Sequence, residues 1–387
     1  MTLTTGIERL RIRNFRVLRD VELDGLTPVT ALLGPNGSGK STLLDAIGFV
    51  GEALGGGLTT AWGNRGGLAE LRSRETIGPV EIELICRVDG ERFEYRLVVD
   101  EEDGAPVAAE ERLTWSPDNP AAQVTLVSFR RGAGTIRRPG LEGRTEELTS
   151  PGLLAVGTFG TLSDNAHIAA FLGFVGRIQV MDLAPAQMRS GARGPLRGAG
   201  LDGNGANIAM RVRSLKDDRP DAWDEILRSL RQYVPRLEDF EPARLGDGSW
   251  IIRLKEQGIA EPILPENISD GTLLLLGYLM ALRNPLSVLL FEEPENQVHP
   301  RLHYLLGEET RGAESDQIIV ATHAPRFVDA LRPDEVWTFA RGNDGYAETK
   351  RASAEAPVVR MVESGGALGD LWTEGYFRFG DPLGERP

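Results

Sequence analysis

Cysteine is nearly absent from this sequence, and no stretch of it suits a membrane. The one cysteine among 387 residues is Cys86, which excludes an internal disulfide and favours a reducing compartment. The longest apolar stretch, residues 272–282, is shorter than the roughly 20 residues that a membrane-spanning helix needs. The first residues also lack a basic segment followed by an apolar run. We therefore expect a cytoplasmic protein with no membrane segment.

Positive charge is in the minority, and long periodic patterns are missing as well. With 43 Lys and Arg against 57 Asp and Glu, the net charge is −14, which argues against a protein that coats nucleic acid non-specifically. A local basic groove is compatible with this balance. No heptad pattern is sustained, so a long coiled coil is excluded, and there is no internal repeat. The composition, 41% hydrophobic and 26% charged, is that of a globular protein.

A glycine-rich loop is the strongest motif present. Residues 34–42 read GPNGSGKST and fit the pattern G-x-x-x-x-G-K-[ST]. Glycines in such a loop let backbone N–H groups turn towards a phosphate at the start of a helix, whose dipole favours anions. The pattern predicts that Lys40 reaches the β- and γ-phosphates and that Ser41 ligates Mg²⁺. The predicted nucleotide-binding residues of the loop are Gly34, Pro35, Asn36, Gly37, Ser38, Gly39, Lys40, Ser41 and Thr42.

The residues on either side of the loop support this interpretation. The apolar run 28–33 predicts a buried strand that leads into the loop. After the loop, apolar residues recur on one helical face, and a glycine triplet at 55–57 ends the helix. Strand, glycine loop and helix in this order distinguish a phosphate-binding loop from a chance match.

Two adjacent carboxylates follow a second apolar strand. The run 287–291 is followed directly by Glu292 and Glu293, at the end of a strand where open α/β sheets bind ligands. We expect Glu292 to hold Mg²⁺ and Glu293 to orient or deprotonate an attacking water. The alternative, an acidic surface turn, fits less well because five apolar residues precede the pair.

Two further polar segments follow the same logic. Ser269, Asp270 and Gly271 precede the apolar run 273–282, so they open a buried helix and can present a hydroxyl and N–H groups to a phosphate. Taken alone, this segment is only a helix N-cap. His323 follows the apolar strand 317–322, which makes it a candidate contact for the γ-phosphate.

The remainder of the chain predicts additional elements around this core. Residues 80–99 alternate about an Asp89-Gly90 turn and predict an antiparallel meander, and another strand pair is predicted around residues 117–119. Residues 163–235 are predicted to be a largely helical second lobe, with a Gly/Arg-rich mobile loop at 189–205. We divide the chain into the N-terminal half of a head, an inserted strand and helical lobe, the C-terminal half of the head, and a tail that packs on it: 1–110, 111–262, 263–345 and 346–387.

Three questions stay open at this level. His299 and His303 are four residues apart and suit a metal, but they fit the start of a helix equally well. A basic group suits either phosphate backbones or a solvated surface: Arg130, Arg131, Arg137, Arg138, Arg189, Arg193 and Arg197. No residue is a clear Q-loop glutamine, and the candidates are Gln179, Gln187 and Asn64.

The motifs LRIRNFRVLRDVEL, GPNGSGKST, ISDGTLLLL, FEEPENQVHP and IIVATHAPRFVDAL together resemble the ATP-binding-cassette (ABC) ATPases. The resemblance is to the RecF/SMC-like branch and its compact stand-alone bacterial AAA-family relatives, which include the ATPase part of OLD-family proteins. It implies an α/β P-loop NTPase head with a mixed sheet, an antiparallel meander and a helical lobe, but no long coiled coil. Two departures are the Ser-Asp-Gly-Thr signature and Glu292 at a position that is more often Asp.

The resemblance also implies a function. It implies ATP and Mg²⁺ as cofactors and a head-to-tail homodimer in which Ser269 and Gly271 contact the ATP of the opposite protomer. Glu293 would be the catalytic base and His323 the switch histidine of an ATPase acting in DNA repair, DNA sensing or anti-phage defence. DNA and a separately encoded nuclease or toxin-like effector are the expected partners. The alternatives are the energy subunit of a membrane transporter and a scaffold in which ATP is structural.

Overall fold

The computed structural model describes residues 3–117, 123–194, 200–377 and 379. The strands in these ranges are β1 (Gly6–Phe15), β2 (Leu18–Asp24), β3 (Val29–Leu33), β4 (Val80–Val88), β5 (Glu91–Glu102), β6 (Ala105–Ser116), β7 (Val124–Arg130), β8 (Ala133–Ile136), β9 (Arg144–Glu147), β10 (Ile178–Met181), β11 (Leu237–Arg244), β12 (Trp250–Glu256), β13 (Val288–Glu292), β14 (Gln317–Thr322), β15 (Val336–Arg341) and β16 (Ala347–Arg351). The α-helices are α1 (Lys40–Gly56), α2 (Leu58–Gly63), α3 (Leu68–Leu71), α4 (Ala155–Phe159), α5 (Ala166–Val175), α6 (Pro185–Arg189), α7 (Ile208–Asp218), α8 (Pro220–Tyr233), α9 (Asp270–Leu282), α10 (His303–Thr310), α11 (Pro325–Val328), α12 (Ala356–Glu363) and α13 (Leu368–Thr373).

A six-stranded sheet carries the predicted site. Its order is β10-β13-β14-β3-β15-β16, and every neighbouring pair is parallel except β15 and β16. The strands β3, β13 and β14 are continuous apolar runs because helices or the second sheet cover both of their faces. In register, Glu292 pairs with Ala321 and Thr322 with Leu33. The glycine loop, the acidic pair and His323 therefore emerge at one edge of this sheet.

The antiparallel meander forms a sheet of its own. Eight strands pair in the order β2-β1-β4-β5-β6-β7-β8-β9. Alternate residues of β4 are buried, which is the pattern of a sheet with one face against the core. Cys86 lies on that face, and burial raises the pKa of its thiol. The strands β6 and β7 flank the turn predicted around residues 117–119, of which residues 118 and 119 lie outside the described residues.

Helix α1 packs against the eight-stranded sheet and extends from the glycine loop to the predicted glycine triplet. Its buried residues include Ile47 and Phe49, which belong to the same core cluster as the buried face of the eight-stranded sheet. The Phe49 ring lies 6.2 Å from the ring of Phe15 on β1 in an edge-to-face arrangement. The start of α1, which carries the phosphate-binding residues, is thus anchored on β3 and on the eight-stranded sheet.

The section predicted as a helical lobe also contains a strand. Helices α5 to α8 do lie between residues 163 and 235, but β10 within that section pairs with β13 in the six-stranded sheet. The predicted boundary between residues 110 and 111 falls inside β6. The division into four domains stays a prediction.

The C-terminal section packs against the rest of the chain. Strand β16 completes the six-stranded sheet, and Trp372 and Phe377 are buried with their rings 5.6 Å apart. Residues 378 and 380–387 lie outside the described residues, as do residues 195–199 of the Gly/Arg-rich loop, which include Arg197. Among the described residues, no helix is both long enough and apolar enough to cross a membrane.

Candidate functional site

The glycine loop turns sharply between β3 and α1, and at two of its positions the structure requires a glycine. A Cβ on Gly34 would lie 2.4 Å from the carbonyl oxygen of Phe339 on β15, which is too close for any side chain. Gly39 has φ = +112°, a conformation that L-residues rarely adopt, and caps the start of α1. The loop therefore needs glycine at Gly34 for space and at Gly39 for backbone conformation.

Lys40 is buried at the centre of the loop. Its Nζ donates hydrogen bonds to the carbonyl oxygens of Gly34 at 2.7 Å and Pro35 at 3.0 Å. Burial lowers the pKa of Lys40, and the carboxylates of Glu293, Glu295 and Glu292 act in the opposite direction. The ammonium group thus lies inside the curve of the loop, near the acidic residues at the end of β13 and just after it.

Three cavities meet around the loop. The P-loop cavity has a volume of about 270 Å³ and is lined by Val17, Asn36, Gly37, Gly39, Lys40, Ser41, Thr42, Glu293 and Arg341. A second cavity of about 520 Å³, here called the carboxylate cavity, shares Ser41 and Thr42 with it and adds Glu292 and Asp182. A third of about 550 Å³, the hairpin cavity, shares Val17 and Arg341 with the P-loop cavity and is also lined by Tyr346 on the β15–β16 turn. Both larger cavities therefore adjoin the P-loop cavity through shared lining residues.

Glu293 is held at the edge of the P-loop cavity from both sides of its carboxylate. Oε1 lies 3.1 Å from Nδ1 of His323, and Oε2 accepts a hydrogen bond of 2.8 Å from Nδ2 of Asn296. Its backbone has φ = +43° and its N–H donates to the carbonyl oxygen of Ala321 at 2.8 Å. A non-glycine residue with positive φ is held against its intrinsic preference, a cost of about 1–2 kcal/mol. The surrounding bonds fix this carboxylate next to His323.

A third carboxylate, which the sequence analysis did not single out, supports this arrangement. Glu295 is 3% exposed, and its Oε1 accepts hydrogen bonds from the Thr322 hydroxyl at 2.5 Å and the His323 N–H at 3.1 Å. The same oxygen lies 3.8 Å from Nδ1 of His323. In FEEPEN this glutamate looks like an ordinary loop residue, and no local pattern marks it as buried.

Asp182 is a second acidic residue that the sequence analysis missed. It follows β10, whose residue Met181 pairs with Phe291, and it lines the carboxylate cavity with Ser41 and Glu292. The available signal is a short apolar run ending in a carboxylate, IQVMD, which repeats on a smaller scale the pattern of VLLFEE. That signal was hidden because the surrounding section is helical.

The Ser269 segment lies outside the P-loop cavity of its own chain. The Ser269 Oγ accepts a hydrogen bond from Thr272 N at 3.2 Å and caps α9. A Cβ on Gly271 would lie 2.7 Å from the carbonyl oxygen of Gln297, so α9 approaches the loop after the acidic pair closely. Arg189 on α6 donates to the carbonyl oxygens of Pro265 at 3.1 Å and Ile268 at 2.7 Å and also to the Asp270 carboxylate, which fixes the segment before the helix.

The contacts of His299 and His303 bear on the two interpretations of this pair, a metal site and a helix start. His299 accepts a hydrogen bond from Arg301 N at 3.2 Å as the cap of a short 3-10 helix, and the His303 ring contacts the Val298 carbonyl at 3.0 Å. Among the described residues, no cluster of three or more His, Cys, Asp or Glu side chains is arranged to hold a metal. The contacts of both histidines are those of residues at a helix start.

Among the Q-loop candidates, only Asn64 lines the carboxylate cavity. Gln179 donates to the Leu201 carbonyl at 2.6 Å, and Gln187 is exposed on α6. In the basic group, the described members with an acidic partner include Arg138 with Asp164. Arg130, Arg131 and Arg193 also have acidic partners, and Arg189 holds the Ser269 segment.

A glycine loop between a buried parallel strand and its helix, with carboxylates at the end of a second strand of the same sheet, defines a P-loop nucleotide-binding head of the ABC type. Residues 29–329 match the protein family described as "AAA domain, putative AbiEii toxin, Type IV TA system". The chain belongs to this family.

Known proteins agree with this assignment. A 44-residue segment is 52% identical to the "OLD nuclease" of Thermus scotoductus, covering 11% of this chain and 8% of that protein. Another 44-residue match is 46% identical to the "Chromosome partition protein Smc" of Methanocaldococcus jannaschii, covering 11% of this chain and 4% of that protein. The aligned segments span less than a tenth of either relative.

The fold has a solved counterpart. The structure described as the "SmcHead bound to the C-winged helix domain of ScpA" superposes with a TM-score of 0.50 at 15% identity, covering 89% of this chain and 97% of that chain. At this identity the likeness concerns the fold. The predicted fold class and the resemblance to SMC-like and OLD-family ATPases are confirmed.

Proposed function

We propose that this chain binds and hydrolyses ATP and that ATP binding joins two copies of it head to tail. The observation that carries the proposal is the contact between Glu293 and His323 at the edge of the cavity that holds Lys40. A scaffold that only stores a nucleotide would not need a carboxylate held against a histidine beside its phosphate site. The arrangement instead matches a base and a phosphate contact in position for an attacking water.

The phosphate site is formed by the chain's own backbone and Lys40. The N–H groups of residues 37–42 would surround the β-phosphate, and the Lys40 ammonium would exchange its two carbonyl partners for the β- and γ-phosphate oxygens. Glu293 would accept the proton of the water that attacks the γ-phosphate, because its carboxylate lines the same cavity. His323, whose ring contacts the Glu293 carboxylate, would contact the γ-phosphate.

The residues of the carboxylate cavity fit Mg²⁺. Ser41 and Glu292 would hold it, with Asp182 in the same cavity, and all three offer the oxygen ligands that this ion prefers. Protein sites for Mg²⁺ normally use one or two carboxylates together with substrate phosphates, in keeping with the lack of a larger carboxylate cluster in the described residues. When bound, the ion would neutralise charge on the phosphates.

The Ser269 segment supports the dimer part of the proposal. Ser269, Asp270 and Gly271 open α9 and lie outside the P-loop cavity of their own chain. The segment is nonetheless fixed by Arg189, and Ser269 at the N-terminal end of the buried helix is exposed. A γ-phosphate supplied by a second copy would meet that helix end, which favours anions.

We further propose that closing and opening of the dimer control a separate effector in a DNA transaction or in anti-phage defence. The relationship to the OLD nuclease and to an Smc protein supports this direction. A nuclease or toxin-like partner is the expected effector. A cytoplasmic location accords with this role.

The test of the hydrolysis proposal is Glu293→Gln, with Glu308→Gln on the exposed face of α10 as the matched control. We expect Glu293→Gln to keep ATP affinity, abolish phosphate release and accumulate a dimer on size-exclusion chromatography with ATP. The control should behave like the wild type. If Glu293→Gln hydrolyses ATP at the wild-type rate, Glu293 is not the catalytic base.

The DNA part of the proposal needs a separate measurement. ATPase rate and DNA binding are measured with single- and double-stranded DNA over a series of salt concentrations. Binding through phosphate contacts should weaken steeply with salt. If neither single- nor double-stranded DNA binds or changes the ATPase rate at any salt concentration, the proposal that DNA regulates this protein is wrong.

A further inference from the structure

The last residue of β15, next to the turn into β16, is an arginine that reaches the glycine loop. Nε of Arg341 donates a hydrogen bond of 2.6 Å to the carbonyl oxygen of Gly37, and Nη1 donates to the carbonyl oxygen of Gly345. Arg341 lines both the P-loop cavity and the hairpin cavity. Its guanidinium therefore lies where the two cavities join, and the other cation that lines the P-loop cavity is Lys40.

The turn that carries Arg341 is held in place at several points. Gly342 N donates to the Tyr346 carbonyl at 2.8 Å, and Ala347 N donates to the Val17 carbonyl at 2.8 Å beside the loop. The Arg19 guanidinium lies 5.2 Å from the centre of the Tyr346 ring. Because the turn is anchored on the glycine loop and on the β1–β2 turn, Arg341 is presented in a fixed position.

The hydrogen bonds of Arg341 go to carbonyl groups and, among the described residues, leave its positive charge without a carboxylate partner. Many arginines of the described ranges form ion pairs with carboxylates, for example Arg19 with Asp344 at 3.4 Å. Within those same ranges, Arg341 has no carboxylate within ion-pair distance, and its two hydrogen bonds go to carbonyl groups. A guanidinium has more donors than these two bonds use, and its planar shape matches phosphate oxygens.

We propose that Arg341 is a nucleotide-binding residue that contacts the polyphosphate of ATP and ADP from the β15–β16 turn. The inference rests on the proposed nucleotide site and adds a contact outside the glycine loop. An anion in the P-loop cavity would face Lys40 from the loop and Arg341 from the turn. With the nucleoside placed in the hairpin cavity, which adjoins the P-loop cavity at Arg341, the guanidinium would lie beside the phosphates that ADP and ATP share.

The experiment measures the Kd of ATP and of ADP by calorimetry for Arg341→Ala and Arg341→Lys over a series of salt concentrations. Arg244→Ala, an exposed arginine on β11 far along the chain from the loop, is the matched control. A charge-assisted hydrogen bond is worth about 1.5–3 kcal/mol, so Arg341→Ala should weaken both nucleotides by roughly tenfold to a hundredfold. Its Kd should also depend less on salt than that of the wild type, because one charged contact is gone.

The remaining outcomes decide between this role and its alternatives. Arg341→Lys should recover part of the affinity and the salt dependence, since the charge is kept. Unchanged Kd values in Arg341→Ala overturn the proposal, and so does a weaker Kd with wild-type salt dependence, which would mean that Arg341 only holds the Gly37 carbonyl. Thermal melting without nucleotide checks that each variant folds. Lys40→Ala is measured in parallel, and if it also binds ATP normally, the nucleotide site itself is refuted.

Discussion

The hydroxyl of Thr322 donates a hydrogen bond of 2.5 Å to Oε1 of Glu295, so the last residue of β14 is tied to a buried carboxylate three residues after β13 ends. The same oxygen accepts the backbone N–H of His323. Two parallel strands are thus connected by a side chain at the edge where Glu293 meets His323. Glu295 is a positioning residue, because its bonds go to the residues that hold His323.

Glu295→Ala should therefore lower kcat more than it changes KM for ATP. Leaving the Thr322 hydroxyl and the His323 N–H without their partner should also lower the free energy of unfolding by about 1–3 kcal/mol. Steady-state ATPase kinetics and urea unfolding measure the two effects. Glu295→Gln keeps one acceptor oxygen and should recover most of the stability. Equal losses of kcat in Glu295→Gln and Glu295→Ala would show that the charge, rather than the position, matters.

Ser269→Arg should spare ATP binding and block the dimer. The arginine would project from the start of α9 into the region that a second copy is proposed to occupy, whereas the P-loop cavity of the same chain does not include Ser269. Light scattering of the Glu293→Gln background with ATP measures the dimer. Ser269→Ala tests the loss of the helix cap alone, worth about 1 kcal/mol, and Ser364→Arg tests the added charge elsewhere. A dimer that forms normally in Ser269→Arg contradicts the proposed role.

Gly34→Ala should abolish nucleotide binding while the rest of the fold remains. The added Cβ would meet the backbone carbonyl of Phe339 at 2.4 Å, and a carbonyl in a central sheet has little room to move. Gly55→Ala in α1 is the matched control, because its Cβ would meet nothing within 4 Å. The control should gain about 0.5–1 kcal/mol of stability from the lower entropy of the unfolded chain. Calorimetric ATP binding equal to the wild type in Gly34→Ala would show that the loop relaxes.

A buried glutamate of the eight-stranded sheet should make stability depend on pH. Glu111 on β6 accepts hydrogen bonds from Ala155 N at 2.5 Å, Val156 N at 3.2 Å and the Tyr95 hydroxyl at 3.1 Å. Burial nevertheless raises the pKa of Glu111 from 4.5 to about 7 in the folded chain. Between those two pH values the unfolded chain loses the proton and the folded chain keeps it, so stability falls as pH rises through this window and the loss is complete above pH 7.

The size of that loss is on the order of 3 kcal/mol. The side chain of Glu111→Gln cannot ionise, so this variant does not lose stability for the same reason. Between about pH 4.5 and 7 the unfolding free energy of the wild type should therefore fall relative to that of the variant. Urea unfolding over this pH range gives the measurement. Glu147→Gln, an exposed glutamate on β9, should show no such change. A pH-independent difference for Glu111→Gln would mean that the three donors keep Glu111 ionised.

The sequence predicted those parts of the site whose signal is local. The apolar strands β3, β13 and β14 and the residues that follow them can be recognised because burial on both faces requires uninterrupted apolar runs. Strand β10 was missed because it has only four residues, mostly half-buried, between helices. A short strand of this kind is defined by its pairing with β13, which a local pattern does not contain.

The unrecognised residues of the site share one property. Asp182, Glu295 and Arg341 each reach the site through the pairing or packing of segments distant in the chain. The Nε of Arg341 contacts Gly37 across a separation of 304 residues. No residue pattern near Arg341 indicates a phosphate, since RGNDGY reads as an ordinary hairpin turn. The buried state of Glu295 likewise depends on Thr322 at the end of another strand.

The order of strands in the six-stranded sheet has a consequence for biosynthesis. The neighbours of β3 are β14 and β15, so the strand before the glycine loop pairs only with segments that begin at residues 317 and 336. Residues 29–42 leave the ribosome long before residues 317–322 of β14 are made, so β3 at first has no partner strand. Contacts of such sequence separation form slowly, and β3 stays an unpaired apolar segment meanwhile. The sheet that positions the glycine loop can therefore form only after β14 and β15 have been made, and a fragment that ends before β14 should not bind a nucleotide.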